Sequence, residues 1–95
     1  MVDNLVLYTV KDDASSEEVD ELALSLRKLG DRGPNVMDLS VGENSSKRGG
    51  GYTHGPFVRF RTRDDLRAYL EHPEHLAVVE KLDTTTGCLL VDYGP

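Results

Sequence analysis

Cysteine, basic residues and long apolar runs are all scarce in this sequence, and each scarcity excludes a class of protein. The single thiol, Cys88, cannot form an internal disulfide, and we expect it to act as a small hydrophobic residue in a buried strand. No apolar run approaches membrane-spanning length, and the first residues lack the features of a signal peptide. Lysine and arginine number 11 against 17 acidic residues, which argues against nucleic-acid and membrane partners. The expected location is the cytoplasm.

The length of the chain, 95 residues, allows one domain, which we place at residues 1–95. A domain of this size buries a modest share of the surface that its unfolded chain exposes. Oligomerisation is therefore a natural way for it to gain apolar contact.

Hydrophobic periodicity and turn residues predict the order β-α-β-β-(α,α)-β. Four strands are predicted, at 4–10, 36–41, 57–62 and 88–93. The first helix follows a Ser15–Glu18 capping box and ends at Gly30. A second helix runs from residue 64 or 65 to the His72-Pro73 step, and a third begins at Pro73. Turns are predicted at 33–35 and 84–87. This order is typical of an α+β, ferredoxin-like fold, an antiparallel four-stranded sheet with helices on one face.

Two helices carry predicted buried stripes. In the first helix the stripe is Val19, Leu22, Ala23, Leu26 and Leu29; in the last it is Leu76, Val79 and Leu82, with Ala77 and Val78 beside it. Between the second and third strands, residues 42–56 are rich in glycine, serine and lysine, which predicts a mobile loop. This loop is either a functional flap or a plain hairpin connection.

The first and last strands are apolar on both faces. Leu5 and Leu7 point one way while Val6 and Tyr8 point the other, and the last strand repeats this pattern. The helices can cover only one face of the sheet, so a second copy of the sheet is the simplest cover for the other face. The alternative is that these strands are central and partly covered by loops.

The side chains suited to proton transfer cluster late in the sequence. All three histidines, His54, His72 and His75, lie there, and histidine titrates near neutral pH. Tyr69 ends one predicted helix and His75 begins the next, so a kink at Pro73 could bring both to one pocket. His75 would then act as a general base, and the Tyr69 hydroxyl would bind the imidazole or the enolate that forms. The alternatives are a histidine cap and a core tyrosine with a satisfied hydroxyl.

We predict no metal site and no cofactor. Pro73 interrupts the helix that would align His72 with His75, and no matching Cys/His pair lies elsewhere. The Gly49-Gly50-Gly51 run lacks the GK[ST] ending of a phosphate loop. His72 and Pro73 are interpreted as residues that shape the turn.

Four segments together resemble the stress-responsive dimeric α/β-barrel (Dabb) family over essentially the whole chain. They are Gly51-Tyr52-Thr53-His54, residues 60–69, His72-Pro73-Glu74-His75 and Asp92-Tyr93-Gly94-Pro95. The chain is most similar to the olivetolic acid cyclase-type polyketide cyclases of that family. This resemblance implies a homodimer with Tyr69 and His75 as the catalytic pair of a cofactor-independent intramolecular aldol condensation of a poly-β-keto substrate.

The resemblance also implies a substrate pocket between the sheet and the helices. The implied lining residues are Asn4, Val6, Tyr8, His54, Leu70 and Val78. One departure concerns Asn4, which stands where the family commonly has a histidine, and an amide cannot shuttle a proton. Two other functions stay open: a non-catalytic, stress-responsive assembly protein with a filled pocket, and a cofactor-free oxygenase on the same fold.

Overall fold

A computed structural model of the chain describes residues 1–32, 36–80 and 85–94, without the side chains of residues 31, 32, 85 and 86. Its elements are β1 (Val2–Val10), α1 (Ser16–Arg32), β2 (Val36–Glu43), β3 (His54–Phe60), α2 (Arg63–Glu71), α3 (Pro73–Glu80) and β4 (Thr85–Tyr93). This confirms the ferredoxin-like α+β prediction. The predicted turn at 33–35, Leu82 and Thr84 lie outside the described residues. The rest of the predicted turn at 84–87 is wrong, because residues 85–87 already belong to β4 and pair with β1.

The four strands of the described chain form one antiparallel sheet in the order β2-β3-β1-β4. Strand β1 lies at the centre, where Val2 pairs with Phe60 of β3 and Val6 pairs with Leu90 of β4. Helix α1 carries the chain from β1 past one strand position to β2, and β3 fills the gap between them. This arrangement is the split βαβ unit expected from the element order.

Helix α1 begins with the predicted capping box. The Ser15 hydroxyl accepts the Glu18 backbone N–H at 3.1 Å, and the Glu18 carboxylate accepts the Ser15 N–H at 3.3 Å. The predicted end at Gly30 is wrong, because the helix continues to Arg32. Gly30 serves close packing instead: a Cβ there would lie 3.2 Å from the Cβ of Leu39 on β2. The glycine therefore lets α1 approach the sheet.

The hydrophobic core lies between the three helices and one face of the sheet. It consists of Val2, Tyr8, Leu22, Leu26, Leu29, Val58, Phe60, Leu66, Tyr69 and Val78. Phe60, at the centre of this set, is 0 % exposed and its ring lies 5.0 Å from that of Tyr69. Three positions of the predicted α1 stripe, Leu22, Leu26 and Leu29, belong to this core.

The α2–α3 junction differs from the prediction in two details. Helix α2 begins at Arg63, because the Thr62 hydroxyl caps it by accepting the Asp65 backbone N–H. On α3, Val78 is buried whereas Leu76 and Val79 are exposed. The predicted stripe of α3 was therefore set one residue away from the face that packs on the rest of the chain.

Strand β3 begins at His54, three residues before the predicted start, because His54 pairs with both Tyr8 and Glu43. The connection from β2 to β3 is a hairpin that its own hydrogen bonds organise. The Asn44 amide donates to the Tyr52 carbonyl at 2.8 Å, and the Tyr52 N–H donates to the Gly49 carbonyl at 3.0 Å. Gly50 and Gly51 adopt positive φ in this turn, which explains two of the three glycines.

The face of the sheet opposite the helices is apolar, and the chain leaves much of it exposed. Leu89, Val91 and Tyr93 of β4 are exposed on this face, beside the half-buried Leu5 and Leu7 of β1. We call this the open face. Its charged pair, Asp3 and Arg59, is joined by two hydrogen bonds of 2.8 and 3.1 Å, and the exposed Asp38 of β2 pairs with Arg59 in the strand register.

Candidate active site

A cavity of about 250 Å³ lies between the sheet and helices α1, α2 and α3. Its lining residues are Asn4, Val6, Tyr8, Leu26, Pro56, Tyr69, Leu70, His75, Val78, Val79, Cys88 and Leu90. The strand residues among them share one face of the sheet, because Asn4, Val6 and Tyr8 pair with Asp92, Leu90 and Cys88 across the β1–β4 ladder. Most of the wall is apolar, and we call this space the main cavity.

Tyr69 and His75 stand next to each other in the wall of the main cavity. Their ring centroids are 4.7 Å apart with planes inclined at 55°. Tyr69 lies in the last turn of α2 and His75 in the first turn of α3, and the short break between these helices brings them together. The sequence predicted this juxtaposition from the Pro73 step.

The turn itself depends on His72. Its Nδ1 accepts the Glu74 backbone N–H at 3.1 Å, its backbone N–H donates to the Tyr69 carbonyl, and its carbonyl accepts the Leu76 N–H. His72 thus ends α2 and caps α3 at once, while Pro73 occupies the first helical position, where a missing N–H costs nothing. These contacts hold the imidazole of His72 in the turn.

A backbone hydrogen bond determines which nitrogen of His75 can act as a base. Nδ1 lies 3.2 Å from the Leu70 carbonyl oxygen, and a carbonyl only accepts, so the hydrogen resides on Nδ1. In the neutral ring this leaves the lone pair on Nε2. His75 is therefore oriented as a proton acceptor whose second nitrogen is anchored to the backbone.

Burial shifts the pKa values of His75 and Tyr69 in directions that suit acid–base chemistry. Desolvation lowers the pKa of His75, and the hydrogen bond to the Leu70 carbonyl partly opposes this shift. The imidazole is consequently neutral at pH 7 and able to accept a proton. Burial raises the pKa of Tyr69 to about 12, so its phenol keeps its proton and can donate a hydrogen bond.

Asn4 occupies the position where the resemblance leads one to expect a histidine. Its side chain is buried and its amide nitrogen donates to the Asp92 carboxylate of β4. A carboxylate only accepts, so the NH₂ group of Asn4 faces Asp92. Asn4 thereby joins the central strand to the edge strand at one end of the main cavity.

His54 lies apart from the main cavity. Its ring stacks on that of Tyr8 at 5.5 Å with planes 13° apart, and its Nδ1 lies 2.8 Å from the Thr53 hydroxyl. His54 lines a second cavity on the other side of the Tyr8 ring. Of the six predicted lining residues, the structure thus brings Asn4, Val6, Tyr8, Leu70 and Val78 to the main cavity and sets His54 behind Tyr8.

The prediction that Cys88 is a buried hydrophobic residue is wrong. Cys88 is exposed on the edge strand β4, where it lines the main cavity opposite Tyr8, and partial desolvation raises the pKa of its thiol. Leu26, Pro56, Val79 and Leu90 also line the main cavity, although the sequence did not indicate them as lining residues. The β1–β4 register was the signal that could have identified Cys88 and Leu90, since they pair with Tyr8 and Val6.

Comparison with protein families gives a match over almost the whole chain. The family model described as Stress responsive A/B Barrel Domain (Dabb) matches residues 2–94. The chain belongs to this family. A stress-response A/B barrel domain-containing protein of Arabidopsis thaliana is 28 % identical to this Dabb chain over 83 residues, which cover 85 % of the chain. The Dabb chain accounts for 31 % of the length of that relative.

Solved structures share the fold of the Dabb chain along its full length. An Arabidopsis thaliana protein has a TM-score of 0.90 at 26 % identity, covering 100 % of this chain and 95 % of its own. A dimeric protein of unknown function from Bacteroides fragilis has a TM-score of 0.79 at 26 % identity, covering 99 % and 95 %. The hydroxynitrile lyase of Passiflora edulis has a TM-score of 0.89 at 18 % identity, covering 97 % and 90 %, a likeness of fold alone. Among the described residues, no helix has the length and apolarity to span a membrane.

Proposed function

We propose that this Dabb chain is a cofactor-independent enzyme of the olivetolic acid cyclase type, which catalyses the intramolecular aldol condensation of a poly-β-keto substrate, with aldol addition as the step that closes the ring. One observation carries the proposal: the Tyr69 and His75 rings lie 4.7 Å apart in the wall of an apolar cavity of about 250 Å³. A neutral imidazole and a protonated phenol side by side are the groups that enolate chemistry needs.

The first step is proton abstraction. His75 Nε2 removes a proton from a carbon that lies between two carbonyl groups of the substrate, and the C–H electron pair moves into an enolate. The Tyr69 hydroxyl donates a hydrogen bond to the enolate oxygen as its negative charge develops. The hydrogen bond from His75 Nδ1–H to the Leu70 carbonyl stabilises the imidazolium that results.

The second step forms the ring. The enolate carbon attacks another carbonyl carbon of the same chain, so a C–C bond forms while the π bond of that carbonyl breaks to give an alkoxide. The His75 imidazolium returns the proton to the alkoxide and becomes neutral again. No atom is gained or lost in the addition, and the base is ready for another turnover.

The apolar wall contributes by folding the substrate and excluding water. Val6, Leu26 and Val78 provide no hydrogen bonds, so the carbonyl groups of a bound chain are directed towards Tyr69 and His75. Low local polarity also strengthens the interaction of the Tyr69 hydroxyl with the enolate. A flexible poly-ketone held in a small cavity reacts with itself rather than with solvent.

The proposal includes a homodimer in which two open faces pack together. Leu89, Val91 and Tyr93 would gain cover from the partner, and the paired Asp3 and Arg59 add no unpaired charge to the contact. The dimeric state of the Bacteroides fragilis structure supports this assembly. The non-catalytic alternative predicts a cavity filled by side chains, and the open space beside His75 favours the enzyme instead.

Product analysis of three variants tests the assignment. Linear poly-β-ketones are supplied and the cyclised products are quantified by chromatography and mass spectrometry. We expect His75→Ala to lower kcat/KM by about a hundred- to ten-thousandfold, since it removes the base. Tyr69→Phe should cost about a hundred- to a thousandfold, the effect of losing one donor to a developing oxyanion.

Tyr52→Phe is the matched control for the tyrosine, because Tyr52 lies in the hairpin connection away from the main cavity. Circular dichroism establishes that each variant is folded. Wild-type activity in both His75→Ala and Tyr69→Phe would contradict the proposed roles. Absence of a cyclised product with every poly-β-ketone would contradict the substrate class.

A further inference from the structure

A second cavity of about 220 Å³ lies next to the main cavity and differs from it in character. It is lined by Val19, Asp20, Ala23, Arg27, Val41, Gly42, Glu43 and His54. Four of these eight residues are charged or carry an imidazole, whereas most of the main cavity is apolar. Two spaces of nearly equal volume and opposite polarity therefore adjoin each other between α1 and the sheet.

The stacked rings of Tyr8 and His54 lie between the two spaces, with Tyr8 on the side of the main cavity. One side of the residue lines the main cavity, and the ring stacks on His54, which lines the second cavity. Burial raises the pKa of the Tyr8 hydroxyl, and the charge of Arg27, which lines the second cavity, opposes this shift. Tyr8 is 1 % exposed, so its neighbours enclose the ring.

Packing alone holds this ring in place. Its buried hydroxyl has no hydrogen-bond partner among the residues that the structure describes. A buried hydroxyl without a partner is unfavourable, and a phenylalanine would fill the same space without that cost. The contribution of Tyr8 therefore comes from the volume of its ring rather than from its polar atom.

We propose that Tyr8 is a specificity-determining residue whose ring forms the end wall of the main cavity and limits the length of the ligand that the cavity admits. The inference rests on the proposed function in taking the main cavity as the substrate site. It adds a substrate class, compact poly-β-ketones that end at the Tyr8 ring. Without the ring the two cavities join, and the added space accepts a chain that ends in a polar group because the second cavity is polar.

Crystal structures of Tyr8→Leu and Tyr8→Phe without any ligand test whether the Tyr8 ring closes the end of the main cavity. We expect one continuous cavity that reaches His54 in Tyr8→Leu, and two separate cavities in Tyr8→Phe, which keeps the ring. Two separate cavities in Tyr8→Leu would overturn the inference. This result does not depend on whether the chain is an enzyme.

Ligand length is tested by binding, with Cys88 as the reporter. Cys88 is the single thiol of the chain and lines the main cavity, so a bound ligand should slow its alkylation by N-ethylmaleimide. The probes are straight-chain β-diketones of increasing length that end in a hydroxyl group. The concentration that halves the alkylation rate measures affinity.

We expect the affinity of the wild type to stop rising with length once the chain reaches Tyr8. In Tyr8→Leu the long probes should bind at least about tenfold more tightly than in the wild type, since each methylene buried in the vacated space adds roughly fourfold. Tyr8→Phe should keep the wild-type limit. An unchanged limit in Tyr8→Leu, or an equal gain in Tyr8→Phe, overturns the inference. If no probe protects Cys88 in any of the three proteins, the proposed ligand class is contradicted. The crystal structures then still show whether the Tyr8 ring closes the end of the main cavity.

Discussion

The two faces of the sheet are built from the same strands but differ in how far the rest of the chain covers them. On the helix-covered face Val58 and Phe60 are buried, and the main cavity lies there. On the open face Leu89 is 47 % and Val91 is 44 % exposed. The helices of one chain thus cover one face of the sheet over β1 and β3, whereas on the edge strand β4 even Leu90, which lines the main cavity, stays exposed.

Alternation along the strands explains how one segment serves both faces. In β1, Asn4, Val6 and Tyr8 face the helices, and Leu5 and Leu7 face the other way. The covered face borders the main cavity through Asn4 and Tyr8. The open face carries apolar side chains on β1 and β4 and the Asp3–Arg59 ion pair, with the polar Asp38 and Ser40 of β2 at its other edge.

The largest expected difference between the two faces concerns Phe60 and Phe57, phenylalanines three residues apart on β3. Phe60 is fully buried on the covered face, so Phe60→Ala should lower the free energy of unfolding by about 3–5 kcal/mol. Phe57 is half-buried on the open face, where the Arg59 guanidinium lies 5.5 Å from its ring. Phe57→Ala should therefore act mainly on dimer affinity.

Two measurements separate the effect on folding from the effect on dimer affinity. Urea unfolding at several protein concentrations gives the free energy of unfolding, and sedimentation equilibrium gives the dimer dissociation constant. The loss in Phe60→Ala should persist in a monomeric form of the chain. The loss in Phe57→Ala should be smaller there, because only the contacts within the chain remain. An unchanged dimer dissociation constant in Phe57→Ala would contradict the role of the open face as an interface.

The second prediction places a charge on the open face. Val91→Lys puts an ammonium group among Leu5, Leu89 and their counterparts in a partner copy, and two-fold symmetry makes the change occur twice. We expect the dimer dissociation constant to rise by about a hundred- to a thousandfold, or about 3–4 kcal/mol. Sedimentation velocity should then show a 10.5 kDa monomer at concentrations at which the wild type is dimeric.

Leu24→Lys is the matched control, because Leu24 is also an exposed aliphatic side chain but lies on α1, away from the open face. It should leave the dimer unchanged. A wild type that sediments as a monomer throughout, or a Val91→Lys variant that stays dimeric, would contradict the proposed assembly. The cavity and its chemistry would then need to be complete within one chain.

Sequence patterns predicted the fold well because local chemistry and tertiary packing agree at most positions. The Ser15–Glu18 box, the Leu22–Leu26–Leu29 stripe and the break before Pro73 each specify one local structure, and each is present. Gly30 failed as a helix end because its role is a tertiary one. Only the approach of Leu39 from another element shows why the glycine is there.

The candidate site was predictable in part for the same reason. Tyr69 and His75 are separated by six positions and one turn, so their proximity follows from local structure. Cys88 and Leu90 join the main cavity through pairing with Tyr8 and Val6, about 80 residues away in sequence. The second cavity depends on the relative position of α1 and β2, for which no local pattern exists.

The smallest expected effect comes from the covered face and concerns the charge of His75. Burial lowers the pKa of its imidazole in the folded chain below the ordinary 6.5, so the folded state binds fewer protons than the unfolded state near that pH. Its contribution to stability is therefore full above pH 6.5 and is lost as the pH falls through the lowered pKa. The acid limb of kcat/KM should likewise have its inflection below pH 6.5, since protonation removes the base.

Proton NMR can follow this titration directly, because the chain has three histidines and His75→Gln identifies one resonance by its loss. The pH dependence of unfolding in His75→Gln should be flatter than in the wild type as the pH falls below 6.5, where the unfolded wild-type chain gains a charge on His75 before the folded chain does. An inflection above pH 6.5 would mean that His75 is stabilised as a cation, by a carboxylate or by solvent. The covered face would then lack the low polarity that enolate chemistry requires, and the difference between the two faces would be one of exposure alone.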